Sequence, residues 1–222
     1  MFSYMGSKYR LSPKYGKPTH SLVIEPFAGS AAYSVYHEPR RVLLLDSNPI
    51  IAGIWTYLIR AKESEIGKLP LDFDSVDNLD VPQEAKWLIG FWITKGNVHP
   101  NKTRSAWARQ YRHSGDCKVW SEAVRERLKT NVSKIRDWKV KCASYEVSPN
   151  KRATWFIDPP YKVAGRHYPH SQVDYEFLAE FCKSRKGQII VCENAGATWL
   201  PFKPFAETRG VVKNSEEVAW CR

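Results

Sequence analysis

The sequence predicts one α/β domain, with a mainly parallel sheet built from both ends of the chain, a mainly helical insertion, and a closing C-terminal β-hairpin. Three observations carry this expectation. Apolar strands and helical stretches alternate through the first sixty or so residues. Strand signals then lapse between about residues 62 and 140. They return after residue 153 and end in two neighbouring short strands. The expected division is a sheet domain of residues 1–61 and 141–222, with residues 62–140 inserted.

The elements follow in order. LVIEPF (22–27) is a short apolar run broken by Pro26, and the small residues of FAGSAA lead from it into a helical stretch. RVLLLD (41–46) is a second apolar strand and ends in an acid. In SNPIIAGIWTYLIRAK, Ser47 or Asn48 can cap a helix whose first turn suits Pro49. Residues 63–84 are acidic and turn-rich, and Trp87 to Lys141 shows no parallel-strand signal. ATWFID (153–158) and QIIVCEN (188–194) read as strands. Between them DYEFLAEFCKSR (174–185) is amphipathic, with Phe177, Leu178, Phe181 and Cys182 on one face. TRGVVKN (208–214) and EEVAWCR (216–222) read as a hairpin turning at Asn214-Ser215.

Composition narrows the function class. The chain has 222 residues, 43% hydrophobic and 13% aromatic, which fits a folded domain rather than a disordered one. Its five cysteines are scattered and contain no CxxC, so neither a disulfide framework nor a zinc ribbon is expected. His99, His113, Asp116 and Cys117 lack the close pairs that zinc sites use, and no metal is expected. No apolar run approaches a membrane span, and MFSYMGSKYR lacks a signal-peptide core, so the expected location is the cytoplasm of the cell that makes it.

The net charge of +11 points to a polyanionic partner. From Lys95 to Lys141 there are 13 Lys and Arg against 4 acids, so most of the excess lies in about a fifth of the chain. Amides and aromatics are interleaved with these cations. Phosphates are met by Lys and Arg, base edges by Arg, Asn and Gln, and bases stack on aromatics. The expected nucleic-acid contacts are Lys95, Asn97, Asn101, Lys102, Arg104, Trp107, Arg109, Gln110, Tyr111 and Arg112. Lys162 and Arg166, in the basic and aromatic loop KVAGRHYPH, join them. The helical stretch 121–138 reads equally well as plain solvated surface.

Three segments carry chemistry. EPFAGSAAYS (25–34) places small residues between a strand and a helix, where a ligand can approach the backbone, although a packing turn would look the same. Asp46 ends the second strand where nucleotide-binding α/β folds hold ribose hydroxyls, although it could equally serve as an acid at a helix start. In TWFIDPPYKVAG, Asp158 ends a strand at the ligand-bearing edge of the sheet. Pro159 and Pro160 fix an extended backbone and donate no hydrogen bond. The result is a stiff ledge of acceptors, the Asp158 carboxylate and the Pro159 carbonyl, with the flat ring of Tyr161 beside it. Such a site suits a planar ring bearing an amino group.

At this point the sequence resembles the Dam-like DNA adenine-N6 methyltransferases. DPPY (158–161) matches their catalytic motif, YMGSK (4–8) their N-terminal cofactor motif, EPFAGS (25–30) their cofactor turn, and LLLDSNPIIAGIW (43–55) their strand-acid-helix element. The closing SEEVAW (215–220) is also similar. The order of motifs is that of the alpha group, and the likeness covers about two thirds of the chain. Ser7 and Ala31 stand where the family usually has glycine.

The resemblance implies a Rossmann-like S-adenosylmethionine-dependent methyltransferase sheet, with 62–140 as the target-recognition region. It implies methyl transfer to adenine N6 in double-stranded DNA, with base flipping, by a monomer or weak dimer, and a separate restriction endonuclease as a potential partner. It makes Asp158, Pro159, Pro160 and Tyr161 catalytic. Tyr4, Lys8, Glu25, Pro26, Phe27, Ala28, Gly29, Ser30, Asp46, Ser47 and Asp158 would bind the cofactor, and KCASY (141–145) would border its adenine. The rival readings are methylation of cytosine N4 or of RNA, and a catalytically idle DNA-binding module. A nicotinamide-dependent oxidoreductase would explain the turn and Asp46 but not DPPY.

Overall fold

Both faces of the sheet are covered, which is why its central strands are apolar throughout rather than alternating. The computed structural model describes residues 1–94, 96–109, 119–162, 172–209 and 214–222. In chain order the elements are β1 (Leu22–Glu25), α1 (Ala32–His37), β2 (Arg41–Asp46), α2 (Pro49–Arg60), α3 (Glu63–Gly67), α4 (Gln83–Ile93), α5 (Ala106–Arg109) and α6 (Glu122–Val132). Then come β3 (Lys139–Cys142), β4 (Ala153–Ile157), α7 (Tyr175–Ser184), β5 (Gly187–Asn194), β6 (Lys203–Arg209) and β7 (Asn214–Cys221).

The seven strands form one sheet in the order β3-β2-β1-β4-β5-β7-β6. The first five are parallel, and β7 runs antiparallel between β5 and β6. This is a Rossmann-like sheet with a C-terminal antiparallel hairpin. Connections leave β1 toward one edge and β4 toward the other, so β1 and β4 flank the switch point where such sheets open a crevice.

Alternating side chains feed two cores. On one face Val23, Leu44 and Phe156 pack with Trp55 and Leu58 of α2, Leu88 of α4 and Leu128 of α6. On the other, Ile24, Leu45, Trp155 and Val191 pack with Leu178, Phe181 and Cys182 of α7. Asn48 starts α2, its side chain accepting from the Ile50 N–H at 3.0 Å. Asp174 starts α7 by accepting from Glu176 and Phe177.

Three details differ from expectation. First, β3 lies within the stretch that showed no strand signal, and it begins before residue 141. It is the outermost strand beside β2, and three of the four residues of KVKC are exposed, so it carries no apolar run. Second, Asn214 and Ser215 do not form the hairpin turn. They pair with Arg209 and Thr208 inside the β6–β7 ladder, and β6 starts earlier, at Lys203. Third, Phe177 is 51% exposed, and Ala179 takes its place on the buried face of α7. The helices after α2 share one core with the sheet: Ile66, Leu88, Trp92, Trp120 and Val132 belong to the same cluster as Val23 and Leu44.

Candidate active site

The sheet brings four acids or amides to one edge. β1 ends at Glu25, β2 at Asp46 and β5 at Asn194, and Asp158 follows β4 directly. Above them lies a cavity of about 890 Å³. Every residue expected to bind the cofactor, from Tyr4 and Lys8 through 25–30 to Asp46, Ser47 and Asp158, lines it, as do Pro159, Pro160 and Tyr161. Ser144 and Tyr145 of the KCASY segment line it too.

The turn after β1 is shaped by positive φ. Gly29 sits at 45° and Ala31 at 44°, a left-handed conformation that glycine adopts without penalty and alanine does not. A Cβ on Gly29 would also stand 3.2 Å from the Tyr4 ring. The turn is tied down on both sides. The Gly29 N–H donates to Asp46 Oδ2 at 2.9 Å, and the Trp55 indole donates to the Gly29 carbonyl at 2.9 Å. Asp46 Oδ1 accepts from the Asn48 N–H at 2.9 Å. Ser30 Oγ donates to Ser7 Oγ at 3.0 Å, joining the turn after β1 to the YMGSK segment. Glu25 is buried, and its Oε1 accepts from the Ser34 N–H at 2.8 Å. Burial, only partly offset by that bond, pushes its carboxyl up to about 8.

The ledge itself is a charged cluster. Lys8 Nζ lies 3.0 Å from Asp158 Oδ1 and 3.8 Å from Glu217 Oε1. It donates to the Gly6 carbonyl at 3.0 Å and sits 4.6 Å from the centre of the Tyr161 ring. Burial opposes the Lys8 charge, but the two carboxylates outweigh it and hold the ammonium above its ordinary value. Burial raises Asp158, with Lys8 pulling the other way. Glu217 Oε1 accepts from the Tyr161 hydroxyl and, at 2.9 Å, from the Tyr15 hydroxyl. Asp158, Cys192 and Glu217 offer ligand atoms within 4.8 Å of one another, and Lys8 supplies positive charge to the two carboxylates. Tyr161 is therefore not a bare stacking platform. Its hydroxyl is fixed and a cation stands over its ring. Tyr175 donates to the Pro160 carbonyl at 2.7 Å and braces the ledge from α7.

Sequence reasoning passed over Glu217, Asn194, Gln172 and Asp174. Glu217 is the most informative of these, because a carboxylate inside an otherwise closely packed strand signals a specific partner.

The expected DNA contacts divide. Arg109 is exposed, and Lys102 is exposed but pairs with Asp77 at 2.8 Å. Asn97 and Asn101 are half-buried, the Asn97 carbonyl accepting from Met5. Lys162 is exposed, with its ammonium 5.7 Å from the centre of the Tyr175 ring. Arg104 is a correction. It is 6% exposed, donates to the carbonyls of Trp120 and Leu71, and covers the Phe73 ring, so it knits the helical region together rather than facing a ligand. Its sequence setting among cations and aromatics gave no sign that neighbouring carbonyls would claim it. Trp107 is placed by its backbone in α5, while Lys95, Gln110, Tyr111, Arg112 and Arg166 lie outside the described residues.

Fold and site together define a Rossmann-like chain with a ligand cavity at the switch point of its sheet. No protein-family model matches the chain, and no curated protein matches its sequence. Solved structures similar to it include yhhF of Escherichia coli, provisionally described as a methyltransferase, at TM-score 0.39 and 9% identity over 96% of this chain and 80% of that one. A methylase of Haemophilus influenzae, HI0767, with an equally provisional description, gives TM-score 0.36 and 11% identity over 96% and 83%. A conserved hypothetical protein of Streptococcus pyogenes gives 0.35 and 8% over 89% and 84%. Likeness this low leaves the functional reading to the site residues.

Proposed function

We propose that the protein transfers a methyl group from S-adenosylmethionine to the N6 amino group of adenine in double-stranded DNA. The observation that carries the reading is the sign of the cavity. The chain has a net charge of +11, yet among the described residues the cavity is lined by Asp46, Glu146, Asp158 and Asp174, and by Glu25, whose carboxyl is pushed up to about 8, against Lys8. An acidic cleft in a basic protein suits a cationic small ligand and a polyanionic large one. It disfavours the pyrophosphate of a nicotinamide dinucleotide.

The donor set fits S-adenosylmethionine. Asp46, at the end of β2, would hold ribose hydroxyls, and Phe27 and Tyr145, stacked at 4.9 Å, would form an aromatic wall for an adenine. The acids suit its ammonium and sulfonium charges, and when bound it supplies an electrophilic methyl group.

The ledge supplies the rest. The lone pair of an aromatic amino group is delocalised into the ring, so the nitrogen is a weak nucleophile. Asp158 keeps lone pairs beyond its bond to Lys8, and the Pro159 carbonyl is a second acceptor. Holding both N–H bonds draws the nitrogen toward tetrahedral geometry and aims its lone pair, and orientation of this kind can supply much of the rate. Asp158, made more basic by burial, is the nearest acceptor for the proton that the methylated nitrogen sheds. A base inside a duplex cannot reach such a recess, so the adenine has to be flipped out.

The test is methyl transfer from labelled S-adenosylmethionine to unmethylated DNA, with modified bases mapped by sequencing. Asp158→Ala is expected to lose transfer by roughly a hundredfold or more while DNA binding persists. Near-full activity in that variant would refute the assignment. Label found on cytosine would replace adenine by the cytosine reading, and absence of cofactor binding by the wild type would support an idle module.

A further inference from the structure

We infer that Glu217 is a positioning residue for methyl transfer. From β7 it holds the Tyr161 hydroxyl and shares Lys8, so that Asp158 keeps acceptor capacity for the substrate amino group. The inference rests on the function proposed above and gives a role to a residue of the closing SEEVAW stretch, to which none had been assigned.

Glu217 is 5% exposed, and its Oε1 gathers contacts from three separate segments. Tyr15, at the end of an N-terminal 3-10 turn, donates to it at 2.9 Å. Tyr161, from the ledge, donates to the same atom. Lys8 Nζ stands 3.8 Å from it and 3.0 Å from Asp158. The Tyr161 hydroxyl, committed to Glu217, lies near enough to Asp158 for each to affect the other's ionisation. Glu217 thus contacts both Lys8, which pairs with Asp158, and Tyr161, which stands beside it.

The electrostatics make that arrangement consequential. With one carboxylate, a buried ammonium would commit its hydrogen bonds to Asp158, and Asp158 would become a poorer acceptor for anything else. A second carboxylate divides the ammonium's attraction. It also keeps Tyr161 as a donor toward the protein, because a buried hydroxyl without an acceptor would turn to Asp158 and compete with the substrate. Glu217 touches no substrate in this account and acts through Lys8 and Tyr161.

The experiment compares the full chain with Glu217→Gln, Tyr161→Phe and the double variant. Each is measured for melting temperature, S-adenosylmethionine affinity and single-turnover methyl transfer to adenine-containing duplex. Glutamine keeps the shape and can still accept from tyrosine, but it carries no charge to share Lys8. Glu217→Gln is expected to bind the cofactor within about threefold of wild type and to slow single-turnover transfer by about tenfold or more. In the Tyr161→Phe background the same change is expected to cost about threefold or less, because the two residues act as one unit. Glu217→Asp, which keeps the charge, is expected to recover part of the rate.

Transfer within twofold of wild type in Glu217→Gln would overturn the inference. So would a parallel loss of cofactor affinity and melting temperature, which would mark a merely structural residue, or full additivity with Tyr161→Phe. A wild type that transfers no methyl group to any DNA defeats the functional reading and this inference with it. A wild type that does, beside an unimpaired Glu217→Gln, defeats the inference alone.

Discussion

Glu25 shows how one side chain can connect the cavity to stability. It is 2% exposed at the end of β1, and burial pushes its carboxyl up to about 8 from an ordinary 4.5. Below the lower value both folded and unfolded chains hold the proton. Between the two values only the folded chain does, so raising the pH favours unfolding through that window. The wild type is therefore expected to lose urea resistance between about pH 5 and about pH 8, and Glu25→Gln to flatten that slope. The measurement is the urea midpoint of both proteins across the range, and equal slopes would refute the account. A cationic ligand beside Glu25 would favour its ionised form, so cofactor binding near neutral pH should release protons.

At the scale of elements, the corrected arginine gives a clear test. Arg104 bonds to two carbonyls from separate segments and covers an aromatic ring, so Arg104→Ala should cost about 2–4 kcal/mol of stability. DNA affinity of the folded fraction should stay unchanged, whereas Arg109→Ala, at an exposed position, should do the reverse. Melting curves beside DNA titrations separate the two. The same contrast shows what a sequence can disclose. β2 and β4 were legible because central strands of a covered sheet must be apolar along their whole length. β3 was not, because an edge strand with exposed lysines satisfies only backbone pairing and leaves no pattern. The ledge and turn were legible because prolines and small residues constrain the backbone locally. Glu217 was not, because its role depends on partners some two hundred positions away, as with Tyr15.

For the whole molecule, the cavity acids Glu25, Asp46 and Asp158 are buried or half-buried, while Glu146 and Asp174 at its rim are exposed. Acids line the cavity, while exposed cations such as Arg109 and Lys162 lie on the surface. Exposed charges are screened by salt and buried ones much less. If DNA is the partner, its affinity should fall at least tenfold between about 50 and about 200 mM salt. Cofactor affinity should move by no more than about twofold over the same range. Parallel titrations would check this, and a cofactor constant as steep in salt as the DNA constant would count against a buried acidic site.

The bond from Tyr15 to Glu217, and the approach of Lys8 to the same carboxylate, have a consequence in time. At about 5–20 residues per second of synthesis, roughly 10 to 40 s separate the appearance of Lys8 from that of Glu217. Within that interval the turn and later the ledge emerge, but the strand that completes their electrostatics does not. The nascent chain thus carries its recognisable motifs before the charge cluster around Lys8 can close, and that cluster should form as a single late event when β7 slots between β5 and β6.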